Sequence, residues 1–251
     1  MIEKQVTVIT GGSGGIGKSL IERYLEKGDI VISVDLLNTL NIKNKNFTFF
    51  KCNVESEKSI NNLFLFIKNK YGRIDYFFSN AGILNVGNEN SSNFDWEKNL
   101  NVHLMSHVFI SRQLIPIFKK QNSGHFLITS SAAGLLTHID SITYSVTKHA
   151  TVAFAEWLAI NYNEQNFNIS IICPQAVKTN MTRGRENDVA ALDGMLEPDF
   201  LVEKIQEGIN KKQFLILPHP EVQNYIEKKS LNYDKWISGM ARLKQKIKYN
   251  T

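Results

Sequence analysis

Short β-branched and aromatic runs alternate along this chain with longer stretches whose apolar residues return every three or four positions. The short runs predict strands at residues 5–10, 30–35, 48–52, 76–79, 126–129, 169–173 and 214–217. Near-continuous apolar strands of this kind belong to a sheet buried on both faces. Between them Ile16, Leu20 and Tyr24, and later Ile60, Leu63, Phe64 and Ile67, keep the 3.6-residue period of amphipathic helices. Further helices are predicted at residues 96–118, 143–162 and 201–209, with an amphipathic C-terminal helix at about 221–248. Strand followed by helix, repeated, is the pattern of βαβ units. The expected class is therefore α/β, a three-layer, doubly wound, mostly parallel seven-stranded sheet with helices on both faces. Its ligand crevice should open at the carboxyl ends of the strands.

Composition narrows this picture. A hydrophobic fraction of 43% over 251 residues is ample for one large core, and no repeat or low-complexity linker divides the chain, so residues 1–251 are expected to form a single domain. The first strand begins too early to leave room for a signal peptide, and no uninterrupted apolar stretch reaches membrane-spanning length. Cys52 and Cys173 stand far apart, which suggests neither a disulfide framework nor a zinc knuckle and fits a cytoplasmic protein.

The formal charge of +5 lies in the tail: residues 225–251 hold seven Lys or Arg against two acids, and the preceding residues carry 22 of each sign. A neutral body with a basic end argues against a nucleic-acid surface. In that tail Tyr233, Trp236, Met240, Leu243 and Ile247 form an apolar stripe, with Lys244, Lys246 and Lys248 largely off it. Packing on the body or on a neighbouring subunit is expected in preference to a membrane-surface helix.

The first predicted strand runs into Thr10 and then Gly11, Gly12, Ser13, Gly14, Gly15, Ile16 and Gly17, which open a helix. Glycines there allow a tight turn and close backbone approach, and a helix N-terminus presents N–H groups to a pyrophosphate. Asp35, followed by Leu36, closes the second strand 24 residues after Gly11, where a carboxylate can accept hydrogen bonds from ribose hydroxyls. The same carboxylate would repel a 2′-phosphate, and no cation nearby offsets it. NAD is favoured over NADP.

Tyr144 and Lys148 are four apart on a predicted helix and so share one face. An ammonium about 4 Å from a phenol favours phenolate by roughly 4 kcal/mol at an effective dielectric near 20. That is enough to bring the phenol close to neutrality, so that it could pass a proton to or from an alcohol or carbonyl oxygen. Ser131, thirteen residues before Tyr144 at the end of a strand, could hold that oxygen. Ser130 competes for the role, and the spacing prefers Ser131.

In this order the motifs resemble those of the short-chain dehydrogenase/reductase family, in its single-domain branch of Rossmann-type enzymes. The likeness covers the loop at Thr10 to Gly17, Asn80-Ala81-Gly82, Asn101, Ser131, Tyr144 with Lys148, and Pro174 to Thr179. The resemblance implies that Asn80, Ala81 and Gly82 support the sheet beside the adenine side of the cofactor, and that Asn101 assists a water-linked proton relay to Lys148. It implies that Lys148 binds the nicotinamide ribose, that Val177 and Thr179 contact the carboxamide, and that Pro174 belongs to the same cofactor wall. Three departures stand out. Asn53, followed by Val54 at the expected adenine site, replaces a common Asp, though its amide can still donate or accept. Ser79 replaces a frequent Asn, and Gln175 stands where Gly often follows Pro174.

The resemblance also implies a substrate loop, at about residues 180–198, holding Met181, Arg183, Arg185, Leu192 and Met195. With Leu84, Leu136, His138, Ile139 and Gln175, these suggest a largely apolar pocket in which Arg183 or Arg185 could grip an anion. His138 could touch substrate or be an ordinary loop histidine. His103 and His107, one turn apart without a third ligand, are expected to pack, and no metal is predicted. The chain therefore reads as an NAD-dependent oxidoreductase interconverting a small to medium secondary alcohol and a ketone. An NAD(H)-sensing regulatory protein is the alternative, and a sugar-nucleotide epimerase would need a longer C-terminal part. Family resemblance points to a homotetramer or dimer built on the helices at 96–118 and 143–162.

Overall fold

The computed structural model describes residues 4–249, with side chains through Ile247, so Lys248 of the basic tail lies outside the described side chains. Seven strands pair in parallel throughout: β1 (Val6–Thr10), β2 (Ile30–Asp35), β3 (Phe47–Lys51), β4 (Tyr76–Ser79), β5 (His125–Thr129), β6 (Asn168–Ile172) and β7 (Leu215–Ile216). Their order in the sheet is β3-β2-β1-β4-β5-β6-β7. Chain direction through the sheet reverses between β1 and β4, the switch point at which such sheets open a crevice.

Alternation along each strand divides the core into two layers. Val6, Val8, Ile32 and Val34 face α2 (Glu57–Lys70), α4 (Ser106–Gln121) and α6 (Ile142–Asn161), whereas Ile9 and Val31 face α1 (Gly15–Glu26) and α7 (Pro198–Asn210). The helical spacing read from the sequence is the buried stripe in each case: Ile60, Leu63, Phe64 and Ile67 in one layer, Leu20 and Tyr24 in the other.

Two expected helices are broken. In place of one helix at 96–118 the chain forms α3 (Asn93–Leu100), a π-helical turn (Asn101–Met105) and α4, so that the Ser106 N–H reaches back five residues to the Asn101 carbonyl. The Thr151 hydroxyl of α6 donates to the His103 carbonyl at 2.5 Å and draws it from the regular ladder. The expected C-terminal helix divides into α8 (Glu221–Leu231) and α9 (Tyr233–Tyr249) at Asn232, whose backbone is extended. Asn232 Oδ1 accepts the Lys235 N–H at 2.8 Å, capping α9 in the usual manner of Asn. A short α5 (Ala133–Leu136) follows β5.

Candidate active site

The carboxyl ends of β1 to β6 surround a cavity of about 450 Å³. Of the catalytic and cofactor residues expected from the sequence, all line it except Ser13 and Asn101; of the expected substrate wall, Leu84, His138, Gln175, Met181 and Arg185 line it, whereas Leu136, Ile139, Arg183, Leu192 and Met195 do not. Ser13 stands just behind the wall and ties the glycine loop to β2: its N–H donates to Asp35 Oδ2 at 3.0 Å and its hydroxyl to the Leu37 carbonyl at 2.6 Å. Asn101 opens the π-helical turn, while its neighbours Lys98 and Val102 reach the cavity.

The loop needs its glycines. Gly11 has φ +65, and a Cβ there would lie 2.8 Å from Ala81 Cα; one on Gly17 would lie 2.1 Å from the Gly11 carbonyl oxygen. These contacts keep the backbone close to the cavity floor, and no side chain caps the first turn of α1. The arrangement suits a pyrophosphate, which would meet the bare N-terminal end of the helix. Asp35 Oδ1 also accepts the Leu36 N–H at 2.7 Å, which fixes the carboxylate while leaving lone pairs toward the cavity. At the far end of this half Asn53 Oδ1 accepts the Glu55 N–H at 3.0 Å, so its amide N–H groups remain for an adenine edge.

Asn80 clamps the switch point. Its backbone N–H donates to Thr10 Oγ1 at 2.9 Å, its amide to the Thr10 carbonyl at 3.2 Å, and its Oδ1 accepts from Thr129 Oγ1 at 3.2 Å. Strands β1, β4 and β5 are thereby held in one register beside Lys148, whose ammonium donates to the Thr129 carbonyl at 3.0 Å.

Around Tyr144 the structure changes the expected electrostatics. The Lys148 ammonium lies 5.5 Å from the ring centroid and is committed to Thr129. Burial pushes the phenol above its ordinary value; the Ser131 hydroxyl pulls it back and the Cys173 thiol adds to the rise. Burial likewise lowers Lys148 to about 8, with Cys173 opposing. The drop toward neutrality expected from the four-residue spacing is absent: burial dominates both groups, and Lys148 is not among the groups that pull the phenol down. Ser130 is spent on the Lys148 carbonyl at 3.1 Å, whereas Ser131, which donates to the Pro174 carbonyl at 3.3 Å, is the serine that acts on the phenol.

Two histidines flank the ring edge-on, His103 at 5.4 Å and His138 at 6.4 Å between centroids. His103 had been expected to pack, and it does, but against the phenol. Its Nε2 accepts the Ile83 N–H at 3.1 Å, so Nδ1 carries the proton toward Thr147 Oγ1 at 2.9 Å. Burial, reinforced by the Lys148 charge, keeps this ring neutral, well below its ordinary pKa. His107, buried one turn on, pairs with Ser79 Oγ at 2.6 Å and is lowered to about 3 by burial.

His138 meets a residue absent from the sequence expectations. Its Nδ1 accepts the Asp140 N–H at 3.2 Å, and its Nε2 lies 3.1 Å from Asp188 Oδ1. Asp188, in the substrate loop, also accepts from Arg185 Nε at 3.0 Å and the Ala190 N–H at 3.1 Å. Although burial alone would raise it, hydrogen bonding to His138 and Arg185 holds this carboxyl well below the usual range. Arg185 is therefore committed within the loop, and Arg183 bonds Asn180 at 2.8 Å. Neither is the free anion grip the sequence suggested. The loop is pinned at its base, where Lys178 N–H donates to the Leu196 carbonyl and Leu196 N–H to that of Ala176. Gln175 donates to Asp193 at 3.1 Å, and its Oε1 is buried without a partner.

The family model for short chain dehydrogenases matches residues 5–190, and the chain belongs to that family. Asnovolin H dehydrogenase of Aspergillus novofumigatus is 29% identical over 187 residues, covering 72% of this chain and 73% of that protein. A 3-oxoacyl-[acyl-carrier-protein] reductase of Buchnera aphidicola is 28% identical, with 72% and 77% covered. Among solved structures, a short chain dehydrogenase/reductase from Burkholderia phymatum in complex with NAD superposes with a TM-score of 0.84 at 23% identity, over 93% of this chain and 96% of that one. The fold is thus the Rossmann-type fold that the motifs implied. Among the described residues no helix is long and apolar enough to cross a membrane.

Proposed function

We propose that this protein is a single-domain oxidoreductase that interconverts a secondary alcohol and a ketone with NAD(H). The observation that carries the proposal is Tyr144, whose phenol stands beside Ser131 in a cavity that runs on to the glycine loop and Asp35. NAD, when bound, supplies or accepts the hydride. Asp35 would hold the adenosine ribose and exclude a 2′-phosphate, while Asn53 and Val54 would border the adenine. Val177 and Thr179 would meet the nicotinamide carboxamide.

Ser131 holds the substrate oxygen, and Tyr144 transfers the proton at its phenol oxygen. A phenol above its ordinary value keeps its proton at neutral pH, which is the state ketone reduction starts from. For alcohol oxidation the proton must leave again, and Lys148, one turn along α6 and lowered to about 8, would accept it when its amine is neutral. Asn101 would complete that relay through water at the π-helical turn. His138, Gln175 and Met181 border the substrate. The exposed Val146, Trp157 and Ile160 of α6 support a homo-oligomer formed on that helix. Buried free Cys52 and Cys173 suit a reducing cytoplasm.

The deciding experiment is Tyr144→Phe. Loss of about 10²-fold or more in turnover of an identified ketone, with NADH binding retained by fluorescence titration, is expected. Unchanged turnover would remove Tyr144 from the reaction.

A further inference from the structure

The apolar stripe of α9 borders a second cavity, of about 620 Å³, into which Trp236, Met240 and Leu243 contribute wall from one side and Leu136 and Leu192 from the other. This space adjoins the active site: Ser131, His138, Gln175 and Ala190 line both cavities. Its size is that of a site for a ligand of several rings or a long chain.

Charge distinguishes its exposed rim. Lys228, Lys235 and Arg242 line the cavity from α8 and α9 at its solvent edge. Among the described residues none of the three is in an ion pair. The Lys228 ammonium lies over the Tyr225 ring, 5.6 Å from its centroid. Asp193 also reaches this wall, but its carboxylate is engaged by the Tyr225 hydroxyl at 3.0 Å and the Gln175 amide at 3.1 Å. Three exposed cations stand on this rim against one acid that is already engaged, so the rim favours an anion. Apolar walls ending in cations match a molecule that is greasy along its length and negative at one end.

We propose that the second cavity holds the lipophilic body of an anionic amphiphile, with its negative end among Lys228, Lys235 and Arg242 and its alcohol or ketone at Tyr144. The substrate class rests on the oxidoreductase reading above; the binding site does not, and can be tested without turnover. The buried Gln175 Oε1, orphaned at the junction of the two cavities, is an acceptor for a hydroxyl or N–H of a bound molecule there.

The probe is cis-parinaric acid, a fluorescent polyene fatty acid with neither ketone nor hydroxyl, compared with its uncharged methyl ester on the full-length protein. One-to-one binding is expected, with the acid at least about tenfold tighter than the ester at low salt. A Lys228→Ser, Lys235→Ser, Arg242→Ser triple variant should erase that difference. Gly239, on α9 at the cavity wall, has only an arginine tip 4.0 Å from where its Cβ would be, so Gly239→Phe should fill the space without straining the helix. That variant should lose both probes while keeping its circular dichroism and its NADH affinity. Equal affinity for acid and ester, binding at several equivalents, or undiminished binding in Gly239→Phe would overturn the proposal. Reduction of a small neutral ketone is followed in parallel. Parinarate binding without any turnover would sink the oxidoreductase reading and leave the cavity assignment intact; turnover without parinarate binding would do the reverse.

Discussion

Lys148 is buried with its charge, and the fold should register the cost. The residue is 3% exposed and its ammonium is lowered from 10.5 to about 8, chiefly by desolvation. That difference corresponds to roughly 3 kcal/mol held against the cofactor-free fold at neutral pH. The hydrogen bond to the Thr129 carbonyl returns about 1 kcal/mol, so Lys148→Met, similar in length and apolar, should be inactive yet more stable by roughly 2 kcal/mol at pH 7. For a chain of this size that is an increase of roughly 4–8 °C in Tm. The sign follows from proton counting. Between about 8 and 10.5 the unfolded lysine binds more protons than the native one, so wild-type stability rises with pH across that window. Below it the penalty is present in full. The advantage of Lys148→Met should therefore be greatest below pH 8 and shrink toward pH 10. Urea midpoints of both proteins without cofactor, at pH 6.5, 8 and 9.5, measure it, and the difference between them cancels the titration of other groups. A variant less stable than wild type at pH 7, or a difference that does not change with pH, refutes the reasoning.

Other consequences are as direct. Asp35→Asn removes the charge while keeping one of the two acceptor oxygens that Ser13 and Leu36 N–H use, and should raise kcat/KM with NADP relative to NAD by about tenfold or more in steady-state assays. Asp188→Asn weakens the tie between the substrate loop and His138; KM for substrate should rise about tenfold with NADH affinity unchanged, as measured by kinetics and fluorescence titration. Gly17→Ala forces a Cβ onto the Gly11 carbonyl oxygen and should cost at least about 2 kcal/mol in urea unfolding while abolishing NADH binding.

Much of this was legible in the residue order. β2 and β4 end where their apolar runs end, and the glycine loop, Asp35, Ser131, Tyr144 and Lys148 converge because each sits at the carboxyl end of a strand or on the first turns of α6. What escaped depends on partners distant in sequence. The π-helical turn carries a hydrogen bond from Thr151 to the His103 carbonyl, and the His138–Asp188 pair joins residues fifty apart. Four residues were expected in the last strand, but only Leu215 and Ile216 pair with β6. The break between α8 and α9 was within reach, since Asn232 is a common N-cap, but a continuous apolar stripe concealed it. The state of the phenol was not readable at all, because spacing gives proximity and says nothing of how much water each group loses.

The proposed substrate loop leaves the body at Lys178 and rejoins it at Leu196 through backbone hydrogen bonds that any side chains could make. Between those two points it is a cassette. Residues 180–195 lie outside the sheet and the glycine loop and meet the body through Asp188 on His138 and Asp193 on Gln175 and Tyr225, so changes that keep those ties should alter the choice of substrate separately from the machinery of reaction. Grafting this segment from a related enzyme should carry preference with it and leave cofactor affinity where it was.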